Sequence, residues 1–548
     1  MNQSQTPANA VPDSALPWSL QPYQSNLLPA TPLTATAEPL PLLPDELSRE
    51  KTAGQTPSPP WSEATKRGLS LLGVALFSGV CGDLLLRATP WGLNLLVWMS
   101  LTVLAAALWQ RQQRVALDRT VVCLVSALLF FSAAFAWRSS PVLRGLDMLA
   151  RATLLLAIGL RSRTGKLLVA DLTDYGRAAL RTLGNASGGL LVVLTREIHW
   201  HELPREGWPR RAAAVARGLL LAAPLLLVFG GLLMAADAIF EELIASLFRF
   251  DLLKVCLHIL TVVSVTWLVG GYLRSLQPVD APAQSNPMQT ALPRLGLVEM
   301  GIALGLLDLL FLLFVAVQFQ YLFFGAAHFK PGASMAYSMY ARRGFFELVI
   351  VAALVLPLLL GSHWLLPKND ARAERAFRFL AGGQIALLFV IMASAVYRMR
   401  LYQLCCGLTE LRVYTMAFMG WLALVFSWFG WTVLRGRRER FAFGALAAGL
   451  MLVAGLHVLN PDALIVRANV QRARSGQPFD ADYTSSLSAD SIPELVAGLP
   501  YLTANDRAIV RQRVLQRREE FAGSGWRTWN WSRMRAWQAS QTIQTQTR

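Results

Sequence analysis

The chain is short of charge. Only 16% of its 548 residues are Asp, Glu, Lys or Arg, while 54% are hydrophobic, which is too little charge to solvate a water-soluble surface of this size. It also lacks the common signatures of catalysis. There is no G-x-x-x-x-G-K-[ST] phosphate loop, no H-E-x-x-H zinc helix, no G-x-S-x-G nucleophile elbow and no C-x-x-C pair, so no nucleotide motor is encoded and no catalytic residue can be named. Of six histidines, only His199 and His201 lie close together. At i, i+2 on a basic loop they lack partner ligands, and neither a metal nor any other cofactor is expected. Cys81, Cys123 and Cys256 fall in apolar runs, where a thiol behaves as a small hydrophobe.

The first 65 residues lack any long apolar period and hold 12 of the chain's 28 prolines. Such a segment cannot bury enough surface to fold, and disorder is expected over 1–65. Met1 to Ala37 contains no Lys or Arg, so a cleavable secretory signal is not expected.

What remains is dominated by apolar runs long enough to cross a bilayer, roughly 18–22 residues each. They lie near 69–86, 91–109, 120–137, 215–236, 252–272, 297–323, 345–366, 377–397, 413–434 and 441–458. A weaker run at 145–160 is interrupted by Asp147 and Arg151 but ends in "LLLAIGL", and counts as spanning. The patch "GGLLVVL" (188–194) is too short to span and reads as interfacial or packed against the bundle. The expected class is all-α, a polytopic transmembrane helix bundle of about 11 spans over 66–459. It carries a basic loop at 161–214 and a helical extramembrane region at 460–548.

Orientation follows from the loops. With a cytoplasmic N-terminus and all these spans, the inward segments carry about 25 Lys and Arg against about 10 in the outward loops. "RGRRER" (435–440) then faces the cytoplasm and the C-terminal region lies outside, periplasmic for a bacterial inner membrane. The net charge of +17 is accordingly a topology signal, and nucleic acid is not an expected partner.

Several polar side chains fall within spans. Tyr340, Arg343 and Glu347 share one helical face in "YARRGFFELVIVAAL", with Arg343 and Glu347 at ion-pair spacing. By the same topology Gln318, Gln320, Arg398, Glu410, Arg412 and His457 lie toward the outer ends of their spans, as do Asp83, Asp147, Arg151 and His258. Polar groups in lipid are costly and normally face a bundle interior or a water-filled cavity, which suggests a polar chamber open to the outside. The rival explanation is that each simply snorkels to the interface. Asp308 lies near the middle of its run, and Gly301 and Gly305 share its helical face, a pattern that would bring the acid against a neighbouring helix.

Beyond the last span, Asn460–Pro461, Ser491–Glu494 and Thr503–Asp506 have helix-start spacing, predicting three short helices. Val510, Val514 and Phe521 form an apolar stripe on the last. The tail "GWRTWNWSRMRAW" (525–537) interleaves Trp and Arg as interfacial anchors do.

The segments "VAVQFQYLFFG" (315–325), "YARRGFFELVIVAAL" (340–354), "LTELRVYTMAFMGWL" (408–422), "NPDALIVRANVQR" (460–472) and "DADYTSSLSADSIPEL" (480–495), in this order, resemble an uncharacterised family of bacterial multipass inner-membrane proteins known only as a domain of unknown function. The resemblance covers roughly 210–500 and implies a helical extramembrane end, but no activity and no catalytic residue. Three function classes stay open. One is a transporter-like protein built around the polar chamber and Asp308. A second is a non-transporting scaffold or sensor, with membrane lipids around it and a protein partner at the C-terminal helices or the N-terminal tail. The third is an intramembrane enzyme on lipid or envelope substrates, using Glu347, Glu410 and His457 as acid or base.

Overall fold

The computed structural model describes residues 61–114, 118–165, 167–168, 172–202, 252–277, 296–324, 345–366, 370–523 and 525–545, together with scattered helical positions within 215–233. Among these residues there is no strand, and the fold is all-α. Among the described residues eleven helices make the bundle: α1 Glu63–Leu86, α2 Leu93–Gln112, α3 Arg119–Trp137, α4 Pro141–Thr164, α5 Leu172–Val192, α6 Leu252–Ser275, α7 Leu297–Phe324, α8 Phe345–Leu365, α9 Ala371–Cys406, α10 Glu410–Thr432 and α11 Phe441–Leu459. Six shorter ones follow: α12 Pro461–Arg474, α13 Ala481–Ser486, α14 Ile492–Gly498, α15 Ala504–Gln516, α16 Arg518–Ala522 and α17 Trp531–Thr545.

Nine of the described helices, α1–α3 and α6–α11, are long and apolar enough to cross a membrane. In none of them is more than 44% of the most apolar stretch buried, and leucines such as Leu306, Leu309, Leu310 and Leu313 stand about three-fifths exposed along α7. An exposed leucine surface of that extent has no place in water and is what a bundle presents to lipid. The expected span at 215–236 lies mostly outside the described residues. The expected disordered segment, 1–65, is outside them up to residue 60. At its end the chain is already helical: α1 begins at Glu63, because the Ser62 hydroxyl caps the Thr65 amide and is itself held by Glu202.

α4 falls outside the nine because of its charges, yet it runs the length of the bundle. Its N-terminus adjoins the end of α3, while Arg161 pairs with Asp118 at the start of α3 and Arg163 donates to the Ser275 carbonyl at the end of α6. At 24 residues it is about 36 Å long, enough for the roughly 30 Å hydrocarbon layer. "GGLLVVL" packs instead of spanning, since Leu190 and Val193 are buried and Gly189 approaches Gly271 near the end of α6.

Three apolar cores form. One joins α1–α6 with the inner face of α11, a second joins α7–α10, and a third fills the C-terminal domain. α11 lies between the first two, with Leu446, Leu450 and Val453 on one and Phe441 and Ala445 on the other. In the third, Val510, Val514 and Phe521 are buried as their spacing predicts, and six helices form where three were expected. Asn460, at φ 52°, caps α12 through the Ala463 amide, and Thr503 caps α15 through the Asp506 amide. Ser491 does not cap α14; its hydroxyl donates back to the Ser488 carbonyl.

The glycine face expected beside Asp308 is not a packing face. A Cβ added at Gly301 or Gly305 would meet nothing within 4 Å, whereas one at Gly79 on α1 would sit 2.1 Å from the Thr266 hydroxyl and 2.7 Å from the Val262 carbonyl of α6. Backbone cannot yield as a side-chain tip does, so α1 and α6 meet as closely as they do only because residue 79 has no side chain. Gly79→Val should therefore cost about 1–3 kcal/mol and lower the yield of folded protein. Gly301→Ala and Gly305→Ala should leave it at wild-type level; fluorescence size-exclusion of detergent extracts measures all three.

Candidate functional site

The C-terminal domain sits on one end of the bundle. Arg527 donates to the Leu84 carbonyl (2.9 Å), the Leu93 amide donates to the Trp529 carbonyl (3.0 Å), and the Asn530 side-chain amide donates to the carbonyls of Phe135 (2.7 Å) and Arg138 (2.9 Å). Tyr483 accepts from the Glu410 amide (2.7 Å), and Arg472 donates to the Gln403 carbonyl (2.8 Å) at the end of α9. The Trp/Arg tail thus docks on span ends, with Trp529 and Trp531 stacked edge to face and partly exposed.

At the centre of this seam is Asp490, from the short turn before α14. One carboxylate oxygen accepts the amides of Ser139 (2.7 Å) and Ser140 (2.8 Å) and the Ser139 hydroxyl (3.0 Å). The Ser488 hydroxyl reaches the same oxygen at 3.1 Å, and the Ser532 hydroxyl binds the other. Arg138 lies 3.6 Å away as counter-ion. Ser139 and Ser140 lead into Pro141, the first residue of α4, so an acid some 350 residues away in sequence holds the turn that starts a charged span. The Arg138 guanidinium also donates to the His457 carbonyl at the end of α11.

Deeper between α4 and α11, Nε2 of His457 lies 3.2 Å from Asp147, and both side chains are shut off from solvent. The Nδ1 of His457 faces the Val453 carbonyl at 2.9 Å. A carbonyl can only accept, so Nδ1 carries hydrogen; the contact at Nε2 then needs one further proton, on the imidazole or on the carboxyl. Arg151, one turn further along α4, lies over the Phe135 ring at 4.3 Å.

A cleft of about 300 Å³ opens on the seam, lined from the bundle by Pro90, Ser139, Pro141, Arg144 and Glu410, and from the domain by residues 486–489, Arg517, Glu520, Phe521 and Arg533. Arg517 pairs with Glu520 and donates to the Ser485 and Leu487 carbonyls. Burial, and secondarily the nearby charge of Arg144, hold Arg533 down to about 10. Beside the cleft, the Ser488 hydroxyl also donates to Asp462, a fully buried acid pushed up to about 7 by burial, with Glu410 and Asp490 adding repulsion.

The residues singled out from the sequence are dispersed. Tyr340 and Arg343 lie outside the described residues, as does the side chain of Gln320. Glu347 is exposed in the first turn of α8. Gln318 accepts from Ser394 (2.7 Å) and Arg398 (2.8 Å), tying α7 to α9. Arg412 caps α9 by donating to the carbonyls of Cys406 and Gly407, its charge over the Tyr402 ring. Asp308 faces Gly383 of α9, where an added Cβ would lie 3.6 Å from its carboxylate. Asp83 and His258 meet at 2.5 Å between α1 and α6. Of the named candidates whose side chains are described, only Glu410 lines the cleft, and Glu347, Glu410 and His457 do not converge on it as a catalytic trio would require. Asp490, Asp462, Arg517 and Arg533 were missed. The only local hints were the acid after Pro461 and the Ser-Ser-Pro start of α4.

Removing one member of a buried charged network costs about 3–5 kcal/mol. Asp490→Ala should accordingly loosen the domain from the bundle, and limited proteolysis should cut near residues 460–480 in this variant at protease levels that leave the wild type intact. Asp462 gives a pH signature. Below about pH 4 its carboxyl is protonated in the folded and the unfolded chain alike; from there to about pH 7 only the folded chain keeps the proton. Stability should therefore fall as pH rises through that window. Asp462→Asn should flatten the decline, so that Tm falls less between about pH 5 and pH 8 than it does in the wild type.

No curated protein and no solved structure matches the chain. A family match runs over residues 124–498, from within α3 to the end of α14. It starts well before the segments that carry the resemblance seen in the sequence, and includes Arg138, Arg144, Asp147, Glu410, His457, Asp462 and Asp490, while Arg517 and Arg533 lie beyond it. Because the match takes in well over half of the chain, the protein belongs to the family described as "Domain of unknown function (DUF4153)".

Proposed function

We propose that the protein is a non-transporting membrane receptor or scaffold, whose C-terminal domain reads a ligand or partner at the bundle end and whose spans relay it. The observation that carries this reading is the composition of the cleft, lined in nearly equal parts by the bundle and by the domain. Whatever occupies it touches both, and its occupancy bears on the Asp490 network that joins them. The distribution of Lys and Arg supports a bacterial inner membrane with the N-terminal tail in the cytoplasm and the C-terminal domain in the periplasm. A reporter active only in the cytoplasm should then give signal when fused near residues 115 and 437, and none when fused after 545. Signal from the C-terminal fusion would place the cleft on the cytoplasmic side and overturn the orientation.

Transport is the second reading, kept by one observation. Asp308 has a buried oxygen with no hydrogen-bond partner, and both amide atoms of the fully buried Gln384 are likewise unpartnered. Unsatisfied oxygens at span depth, such as Asp308 Oδ1 and Gln384 Oε1, are what would ligate a coupling ion. Transcript profiles of host cells carrying Arg144→Gln with Arg533→Gln, Asp308→Asn, or a full deletion separate the two. As a receptor, the protein should show the deletion profile in the cleft double variant and the wild-type profile in Asp308→Asn. The reverse pattern would establish the transport reading instead.

A further inference from the structure

The cleft has a chemical bias of its own. Arg533 is only 7% exposed and spends one terminal nitrogen on the Thr528 carbonyl (2.7 Å), but its Nε is buried without an acceptor. The Nε of Arg144, which enters the same cleft from α4, is also buried without an acceptor. A guanidinium offers five donors in a planar fork that suits carboxylate and phosphate, and a buried donor left unmet is costly. Both side chains line one cleft, and Pro141, the first residue of a 24-residue helix, is in its wall; the Ser139 and Ser140 amides that precede it are already taken by Asp490. The acids in the wall are Glu520, engaged by Arg517, and Glu410; Asp490, behind it, is already held by Ser139, Ser140 and Ser532 with Arg138 as counter-ion. The location is equally telling. The cleft lies where α1 ends and α4 begins, near the exposed rings of Trp529 and Trp531, and tryptophan of this kind marks the depth of lipid headgroups.

We propose that the seam cleft is an anion site for a phosphate group, bound between the guanidinium groups of Arg144 and Arg533 beside the N-terminus of α4. The chemistry is shared by a phospholipid headgroup with an accessible phosphate and by free phosphate in solution. The proposal deepens the receptor reading and rests on it only for the consequence of binding, not for binding itself.

The test uses the full-length protein in detergent and in phosphatidylcholine nanodiscs. Native mass spectrometry with phosphatidic acid, and thermal unfolding with inorganic phosphate, are compared for wild type, Arg144→Gln, Arg533→Gln and the double variant. Arg435→Gln, at the opposite end of the bundle, controls for general attraction of anionic lipid. Arg144→Gln removes no hydrogen bond that the structure assigns to that side chain, so it keeps the test valid if Arg533→Gln fails to fold. A headgroup site is shown by retention of phosphatidic acid in wild type and in Arg435→Gln, reduced at least tenfold in the cleft variants, with inorganic phosphate inert. A free-anion site is shown if inorganic phosphate alone raises wild-type Tm and the cleft variants lose that shift. Equal retention and equal shifts in wild type and cleft variants, or no binding of either probe, would overturn the proposal. Loss of binding without any change in transcript profile would uphold the site and reject the receptor reading.

Discussion

One carboxylate organises the end of this molecule. Asp490 accepts two backbone amides and the hydroxyls of Ser139, Ser488 and Ser532, with Arg138 as counter-ion, and it is buried while doing so. An amide side chain could not replace it, because one of its two terminal groups would bring donors to a place already crowded with them. Hydrogen bonds to a buried charge contribute about 1.5–3 kcal/mol each, and the gain here is positional as well as energetic. The two amides of the turn entering α4 are satisfied by the domain, and the domain cannot shift without stranding them. The cleft inherits its shape from that mutual constraint.

The same constraint explains how α4 can be so polar. Hydropathy alone does not rank it with the nine apolar helices, yet its charges have protein neighbours along its length, although one atom each of Arg144, Asp147 and Arg151 stays buried without a hydrogen bond. Arg144 lines the cleft, Asp147 meets His457, Arg151 lies on Phe135, Arg161 meets Asp118 and Arg163 reaches the Ser275 carbonyl. Charges inside a bundle are tolerated when protein supplies the solvation that lipid cannot. α4 is held by its partners at both ends and in the middle, which is why it passes through the bundle despite a composition suited to a surface helix.

How much of this was legible in the sequence depended on range. Apolar runs, the Asn460 and Thr503 caps and the stripe of Val510, Val514 and Phe521 are local patterns, and the chain forms them where they are read. The polar pairs are different, since Ser139 and Ser140 reach Asp490, and Asp147 reaches His457, from over 300 residues away. "SADSIPEL" reads naturally as a capping box on Ser491 and Glu494, and that reading draws the eye past the neighbouring acid that matters. Helical spacing also grouped Gly301 and Gly305 with Asp308, but spacing states which residues share a face and not whether a helix lies against it. Close approaches between helices occur instead at glycines such as Gly79 and Gly271.

The separate pairs and the seam differ in the freedom they leave. Gln318 with Ser394 and Arg398, and Asp83 with His258, each join two helices by side chains that find their partners within the bundle. Such contacts fix an arrangement and leave little for a ligand to change. At the seam, by contrast, Asp462 is uncharged over much of the pH range in which ordinary carboxylates are ionised, and Arg144 and Arg533 hold donors in reserve. Its members are linked through Ser488, which donates to Asp462 and Asp490 alike. A hydroxyl has one hydrogen to give, so it cannot serve both acids fully at once, and the choice between them depends on which carries charge. The charge on Asp462 therefore bears on how fully Ser488 supports Asp490, the acid whose bonds to Ser139 and Ser140 hold the domain to the bundle.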